Sequence, residues 1–205
     1  MAEPSILPMV TPACVRSCPD GNGVGWQVLS EGAGRMPTMR SLATLAALLL
    51  GASLAHAGPV DDCNQVRDLA RQLRGCTAYI KQGKAAPANL AIAYLNRANI
   101  YAQRRKYELA FADYGAAVAR DPRNPLIPYN RANAYLDTRR YQLAIADYTR
   151  AIKLDGKFAL AYLNRGIANE KRGNIRVAAK DYRRALAIDP KSGAAQRRLK
   201  RLQSR

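Results

Sequence analysis

The chain has 205 residues, of which 48% are apolar, and a formal net charge of +18. It is long enough for one folded domain with extra segments, and apolar enough to bury a core. Its single histidine, His56, lies in a segment that we expect to be removed, which excludes a histidine base or a histidine-ligated metal from the mature chain. The charge favours polyanions and anionic surfaces as partners at low salt but says nothing about the fold.

Residues 1–35 contain scattered Pro, Gly and polar residues and have the periodicity of neither a helix nor a strand. We predict a disordered extension, or one that results from a start codon assigned too far upstream. Residues 1–57 hold three basic and three acidic side chains of the 33 and 15 in the chain. The whole positive excess, 30 basic against 12 acidic residues, therefore lies in residues 58–205.

Residues 36–57 have the parts of a secretory signal peptide. Arg40 precedes an apolar run over residues 41–54, and the small residues Ala55 and Ala57 occupy the two places that a signal peptidase recognises. The run is shorter than the roughly 20 residues that span a bilayer. We predict cleavage after Ala57 and an exported protein, periplasmic or secreted. An uncleaved anchor and a chance resemblance are the alternatives.

Cleavage would leave two cysteines, Cys63 and Cys76, because Cys14 and Cys18 precede the cleavage point. An even pair in an exported domain favours a disulfide, and two free buried thiols are the alternative. Without histidine partners the pair makes a poor zinc site. We expect neither a metal nor an organic cofactor.

Residues 91–192 repeat without a gap at a period of 34 residues, as the units 91–124, 125–158 and 159–192. A fixed period of this length indicates a solenoid. Pro122, Gly156 and Pro190 close the units, where helix breakers are expected. Seven columns are identical in all three units: Asn96/Asn130/Asn164, Arg97/Arg131/Arg165, Ala110/Ala144/Ala178, Asp113/Asp147/Asp181, Tyr114/Tyr148/Tyr182, Ala117/Ala151/Ala185 and Asp121/Asp155/Asp189.

Each unit predicts two helices of about 13 residues joined by a short turn. One hairpin cannot bury its apolar face alone, so stacked hairpins complete the core. We expect the small residues Ala98, Ala132 and Gly166 where a first helix approaches a second helix. The tyrosines are expected in the core, since aromatic stripes at helical spacing are more often core than a stacking platform for bases.

This pattern resembles the tetratricopeptide repeat. The resemblance implies an all-α, right-handed solenoid of antiparallel helix pairs that binds other macromolecules. Glycine is usual at the inter-helix turn of the family, but Arg105 and Arg139 stand there and only Gly173 conforms, while Pro128 and Asn169 replace expected aromatics. In the first unit the matching residues are Tyr94, Ala98, Tyr101, Ala110, Tyr114, Ala117 and Pro122, with their equivalents in the other two.

Both ends of the array are predicted to be capped. Residues 58–90 look like a degenerate leading unit with helical spacing over 68–82. A shift of 34 residues places Cys63 and Cys76 near the contact between the helices of one hairpin, where a disulfide is geometrically reasonable. Residues 193–205 predict a half-apolar, strongly basic capping helix that keeps the last unit soluble.

The resemblance also implies that the first helices line a concave face that takes peptides or protein segments. Asparagine amides there can both donate and accept hydrogen bonds to a peptide backbone. Alternatively, Asn96, Asn130 and Asn164 satisfy neighbouring hairpins. The predicted groove residues are Leu95, Asn96, Asn99, Gln103, Tyr129, Asn130, Asn133, Asp137, Leu163, Asn164, Ile167 and Lys171, with Glu170 beside them.

One subfamily of such repeats clamps a C-terminal carboxylate with lysines, asparagines and an arginine. The asparagines of that set are present in this chain, but every cationic member is missing, which argues against binding of chaperone C-termini by that mechanism. The matching columns hold Leu95, Asn99, Asn130, Leu160 and Asn164.

Two further charged sets are candidate sites. The column Arg97/Arg131/Arg165 either binds a ligand or, as we favour, forms exposed ion pairs with Asp113/Asp147/Asp181 worth about 0–1 kcal/mol each. Excess charge also gathers on the second helices and the tail. The candidates for contact with an anionic polymer or lipid surface are Arg176, Lys180, Arg183, Arg184, Arg197, Arg198, Lys200 and Arg201.

Three functions compete on this evidence. We favour a protein-interaction scaffold in the cell envelope, with a protein or peptide partner held in the concave groove. A basic adaptor for an anionic envelope polymer or membrane surface is the alternative. We expect no enzyme and no small-molecule substrate, because the sequence offers no paired carboxylates, phosphate-binding glycine loop or nucleophile–base set.

Overall fold

A computed structural model describes residues 58–64 and 68–204, which form nine helices and no strand. Successive helices pack as hairpins that stack along the chain, and the predicted all-α solenoid of helix pairs is confirmed. The predicted extension, 1–35, and the predicted signal peptide, 36–57, lie outside these residues. The helices are α1 (Pro59–Asn64), α2 (Leu69–Gln82), α3 (Pro87–Gln103), α4 (Tyr107–Arg120), α5 (Leu126–Asp137), α6 (Tyr141–Leu154), α7 (Ala159–Lys171), α8 (Ile175–Ile188) and α9 (Gly193–Gln203).

The repeated apolar columns form the core. Tyr114, Tyr148 and Tyr182 are fully buried on the second helices of the three hairpins, so the prediction that these tyrosines are core residues is confirmed. Burying one large aromatic side chain in each hairpin provides much of the apolar area that stacking removes from water. The alanines of the columns at Ala110 and Ala117 are buried in every unit, because they lie where neighbouring helices approach.

The leading unit is a hairpin of α1 and α2 in which a disulfide joins Cys63 to Cys76. The Asp68 carboxylate caps α2 by accepting from the N–H groups of Ala70 and Arg71, which pairs two N–H groups that the first turn of a helix leaves unbonded. The first helix of the next hairpin begins at Pro87 and not at residue 91. Proline suits the first position of a helix, since it lacks the N–H that would be unpaired there.

The three turns within the hairpins share one geometry. Arg105, Arg139 and Gly173 occupy the same column and all have positive φ, of 57°, 59° and 82°. In each turn the next residue donates its N–H to the carbonyl five positions earlier, as Lys106 does to Tyr101. This bond closes a helix only when the residue before the donor is left-handed, which explains why glycine is usual there.

Two helix-interior glycines are expected to respond in opposite directions to alanine. A Cβ at Gly115 meets nothing within 4 Å, whereas one at Gly166 lies 2.6 Å from Cε1 of Tyr182. Gly115→Ala should therefore stabilise the fold by about 0.5–1 kcal/mol through helix propensity. Gly166→Ala should destabilise it by about 1–3 kcal/mol through overpacking. Urea unfolding measures both, and a shift of the same sign in the two variants would contradict the packing argument.

Candidate functional site

Two hairpins contain the same buried pair of an asparagine amide on the first helix and a tyrosine hydroxyl on the second. Tyr114 donates its hydroxyl to Oδ1 of Asn99 at 2.7 Å, and Tyr148 donates to Oδ1 of Asn133 at 2.5 Å. Burial raises the pKa of both phenols, so the hydroxyls stay protonated and act as donors. Each pair joins the two helices of one hairpin and orients the amide.

A second set of amides joins successive hairpins. Asn164 donates from Nδ2 to Oδ1 of Asn133 at 3.0 Å and to the Tyr129 hydroxyl at 3.1 Å. Asn96 donates to the carbonyl of Cys63 in the leading unit at 3.3 Å. These contacts favour the interpretation that this column, in which Asn130 is also fully buried, satisfies neighbouring hairpins.

Burial corrects part of the predicted groove. The residues that solvent reaches are Gln103, Asp137 and Lys171, one at the last turn of each first helix. The others are buried because their side chains pack between helices or bond across hairpins, so the prediction that they are displayed is wrong. The buried members are Leu95, Asn96, Asn99, Tyr129, Asn130, Asn133, Leu163, Asn164 and Ile167.

Three amide atoms of this buried network have no hydrogen-bond partner among the described residues. They are Nδ2 of Asn99, Nδ2 of Asn133 and Oδ1 of Asn164. A buried polar group left unpaired costs about 1–3 kcal/mol. Because solvent does not reach these atoms, the cost falls on the stability of the fold, and the atoms are not open to an external ligand.

The third hairpin departs from this pattern. Ile167 replaces the asparagine that accepts from tyrosine in the other hairpins, and Tyr182 instead donates to Oε2 of Glu170 at 2.7 Å. Its ring passes over Gly166, where a Cβ would clash. Glu170 also pairs with Arg198 at 3.4 Å and Arg201 at 2.5 Å, so this carboxylate attaches α9 to the last hairpin.

Glu170 therefore corrects the predicted polyanion site. Arg198 and Arg201 both pair with this carboxylate of their own chain, whose side chain is only 11% exposed, so part of their charge is already balanced within the chain. The 34-residue shift, continued past residue 192, places Arg198 in the column of Asn164, which is the signal in the sequence that puts α9 beside the first helix of the last hairpin. The remaining predicted members, Arg176, Lys180, Arg183, Arg184, Arg197 and Lys200, are exposed.

The arginine column forms ion pairs, as we favoured. In each hairpin the guanidinium donates twice to one carboxylate, at 2.7 and 2.8 Å for Arg97 with Asp113 and at 2.6 and 2.8 Å for Arg131 with Asp147. Hydrogen bonding to the partner carboxylate raises the pKa of Arg97 and Arg131. The aspartate side chains are only 4–10% exposed, so the expectation of exposed, weak pairs is wrong.

No group of residues within 58–64 and 68–204 has the composition of a metal site. Over the same residues, no helix is long and apolar enough to cross a membrane.

Comparisons with known proteins identify the family. Two tetratricopeptide repeat models match residues 91–124 and 129–193. The first TPR domain of Spaghetti (RPAP3), solved with the HSP90 peptide SRMEEVD, is 30% identical over 57% of this chain and 93% of that domain, with a TM-score of 0.56. The chain belongs to the tetratricopeptide repeat family. No curated protein sequence matches it significantly.

Two further solved structures agree with this assignment. The second TPR domain of human RPAP3, in complex with the HSP70 peptide SGPTIEEVD, is 34% identical over 58% of this chain and 99% of that domain, with a TM-score of 0.56. MamA, at 21% identity over 71% of this chain and 82% of its own, has a TM-score of 0.63 and shows the shared fold alone.

The Glu170 cluster predicts an acid-sensitive attachment of α9. Burial opposes ionisation, but the hydrogen bond from Tyr182 and the charges of Arg201 and Arg198 outweigh it and lower the pKa of Glu170. A lowered pKa stabilises the fold above the ordinary value of about 4.5, and this contribution is lost as pH falls below it. Glu170→Gln should cost roughly 1 kcal/mol at pH 7, because Arg201 is half exposed.

Urea unfolding of wild type and Glu170→Gln at a series of pH values tests this. The difference in free energy of unfolding between the two proteins should be largest at pH 7 and should disappear as the pH falls through the acid range. A difference of any size that stays constant with pH would contradict an ionised Glu170. Because the other carboxylates titrate alike in both proteins, they cancel from the comparison.

Proposed function

We propose that this protein is a protein-interaction scaffold that holds a peptide or protein segment along the first helices of its repeats. The observation that carries the proposal is the row of polar side chains Gln103, Asp137 and Lys171, which are exposed at the last turns of successive first helices. Such a row can form hydrogen bonds and charge pairs with an extended peptide that lies across the repeats.

The solved relatives support the class of partner. TPR domains of RPAP3 have been solved with HSP90 and HSP70 peptides, and this chain spans more than nine tenths of each of those domains. The charged clamp described above is absent from this chain, and its counterpart Leu95 is fully buried. We therefore propose recognition through the exposed side chains of Gln103, Asp137 and Lys171, with a different sequence preference.

A displayed peptide library, selected against the full chain, tests the proposal without a known partner. The tightest peptides are then measured by calorimetry against Lys171→Glu and Asp137→Lys. Each reversal should weaken binding about tenfold, typical of a charge at the edge of an interface. Lys153→Glu, an equally exposed lysine on α6, is the matched control and should bind as wild type does.

Failure to enrich any peptide, or equal binding by Lys171→Glu and Lys153→Glu, would overturn the concave-face assignment. Capture from an envelope extract adds a second criterion. A partner held in the groove should survive a wash raised from about 0.15 M to about 0.5 M salt, whereas purely electrostatic contacts should elute between the two.

We also propose that the protein acts outside the cytoplasm. The Cys63–Cys76 disulfide supports this, because structural disulfides persist in oxidising compartments. Expression of the full chain in bacterial cells should yield a mature protein whose N-terminus is Gly58, found by N-terminal sequencing of the periplasmic fraction. Protein that retains residues 41–54 and remains with the membrane would contradict cleavage and support an uncleaved anchor.

A further inference from the structure

One edge of the solenoid combines charge with protruding apolar side chains. We define the turn edge as residues 104–109, 138–143 and 172–177, each a hairpin turn with the start of the second helix. These three stretches carry seven basic side chains and a single carboxylate, Glu108. That carboxylate is itself paired with Arg140 at 3.1 Å, so the turn edge is strongly positive.

An apolar side chain protrudes from each stretch at the same position of the repeat. Leu109, Leu143 and Val177 lie 34 residues apart and are 50%, 47% and 48% exposed. Ile175 is exposed beside the last of them. Single exposed apolar residues are common on protein surfaces, but a column repeated in every hairpin and surrounded by cations is not explained by packing of the core.

The backbone gives a second, independent observation. Arg105 and Arg139 hold the left-handed conformation that Gly173 occupies without strain in the third hairpin. A long side chain there is unfavourable, typically by a factor of several in the folding equilibrium. Neither arginine forms an ion pair among the described residues, and Arg105 attracts the Asp137 carboxylate only at longer range. Glycine would be less strained at both positions, so the backbone itself does not explain the two charges.

We propose that the turn edge docks the solenoid onto an anionic phospholipid surface. The arginines and lysines contact lipid phosphates, while Leu109, Leu143 and Val177 enter the interfacial layer. A fluid surface accommodates apolar side chains that stand singly on separate hairpins between basic turns, whereas a folded protein partner would require a continuous apolar centre. This proposal concerns a different surface from the concave face and does not depend on peptide binding.

Vesicle sedimentation of the full chain tests the proposal. The vesicles contain phosphatidylcholine alone, or phosphatidylcholine and phosphatidylglycerol at roughly 7:3, which provides the anionic surface. Wild type should partition onto the anionic vesicles only. Every variant keeps residues 41–54, so any contribution of that apolar run is the same throughout.

Two variants separate charge from insertion. Arg105→Gly/Arg139→Gly should weaken partitioning about 30-fold, because each lost cation reduces attraction to an anionic surface about fivefold. The same variant should unfold at a higher urea concentration than wild type, so the loss cannot result from misfolding. Leu109→Gln/Leu143→Gln/Val177→Gln should weaken partitioning at least about tenfold while leaving the charge unchanged.

Arg183→Gln/Arg184→Gln removes the same number of charges from exposed positions on α8 outside the turn edge and should partition within about twofold of wild type. Partitioning of the glycine variant at the wild-type level would overturn the proposal. So would an equal loss in the α8 control, which would indicate attraction by net charge alone. Wild-type partitioning of the glutamine variant would mean that the three apolar side chains do not enter the membrane and would also overturn it.

Discussion

Arg131→Met should lower the free energy of unfolding by about 3 kcal/mol, because it leaves the Asp147 carboxylate buried without its counter-charge. Arg131 donates twice to that carboxylate, whose side chain is only 10% exposed. Methionine keeps most of the apolar stem, so the loss reports the charge and its hydrogen bonds. Urea denaturation monitored by circular dichroism measures the effect.

Two further variants make this result decisive. Arg131→Met/Asp147→Asn should recover part of the loss, because a neutral amide is less costly to bury than an unpaired carboxylate. Arg176→Met removes an exposed arginine and should change stability by less than about 0.5 kcal/mol. If Arg131→Met and Arg176→Met changed the free energy of unfolding equally, the repeated ion pairs would contribute no more to stability than an exposed arginine does.

Reduction of the Cys63–Cys76 disulfide should release α1 from the solenoid. The loop that it closes is short, and such a cross-link is worth about 3 kcal/mol in the chain-entropy treatment. The Cys63 carbonyl accepts from Gln72 at 3.1 Å and from Asn96 at 3.3 Å. Release of α1 therefore also removes partners from two buried amides on the next helices.

Hydrogen exchange before and after reduction measures this effect. Protection should fall in α2 and the first turns of α3, while α7 and α8 keep theirs, since each hairpin contacts mainly its neighbours. Cys63→Ala/Cys76→Ala should resemble the reduced protein and should not respond to reductant. Unchanged protection of α2 would mean that apolar packing alone holds the leading unit.

Under the lipid-docking proposal, Arg105 and Arg139 weaken the fold locally in exchange for binding. A glycine at position 105 or 139 would relieve the backbone, as Gly173 does in the third hairpin. The predicted rise in stability of Arg105→Gly/Arg139→Gly, together with its loss of vesicle binding, is the signature of such an exchange. Arg104→Gly, at an ordinary φ of −84°, should instead be destabilised by glycine and is the matched control.

The architecture was predictable because the same packing pattern occurs three times in the sequence. Helical geometry is local, so it requires a regular spacing of residue types along the chain. That spacing appears as the 34-residue period, the helix breakers between units and the alanine and tyrosine columns. The arginine–aspartate pairs were within reach for the same reason, since both partners recur at a constant separation.

What solvent can reach was decided only by packing between hairpins. Asn99 and Asn133 are buried because tyrosines of the second helices bond them, and Asn164 because it bridges to the preceding hairpin. Spacing along a helix cannot distinguish an amide that faces a groove from one that faces a neighbouring hairpin. The terminal arrangement around Glu170 depends in turn on α9, whose two arginines approach that carboxylate only once the solenoid has stacked.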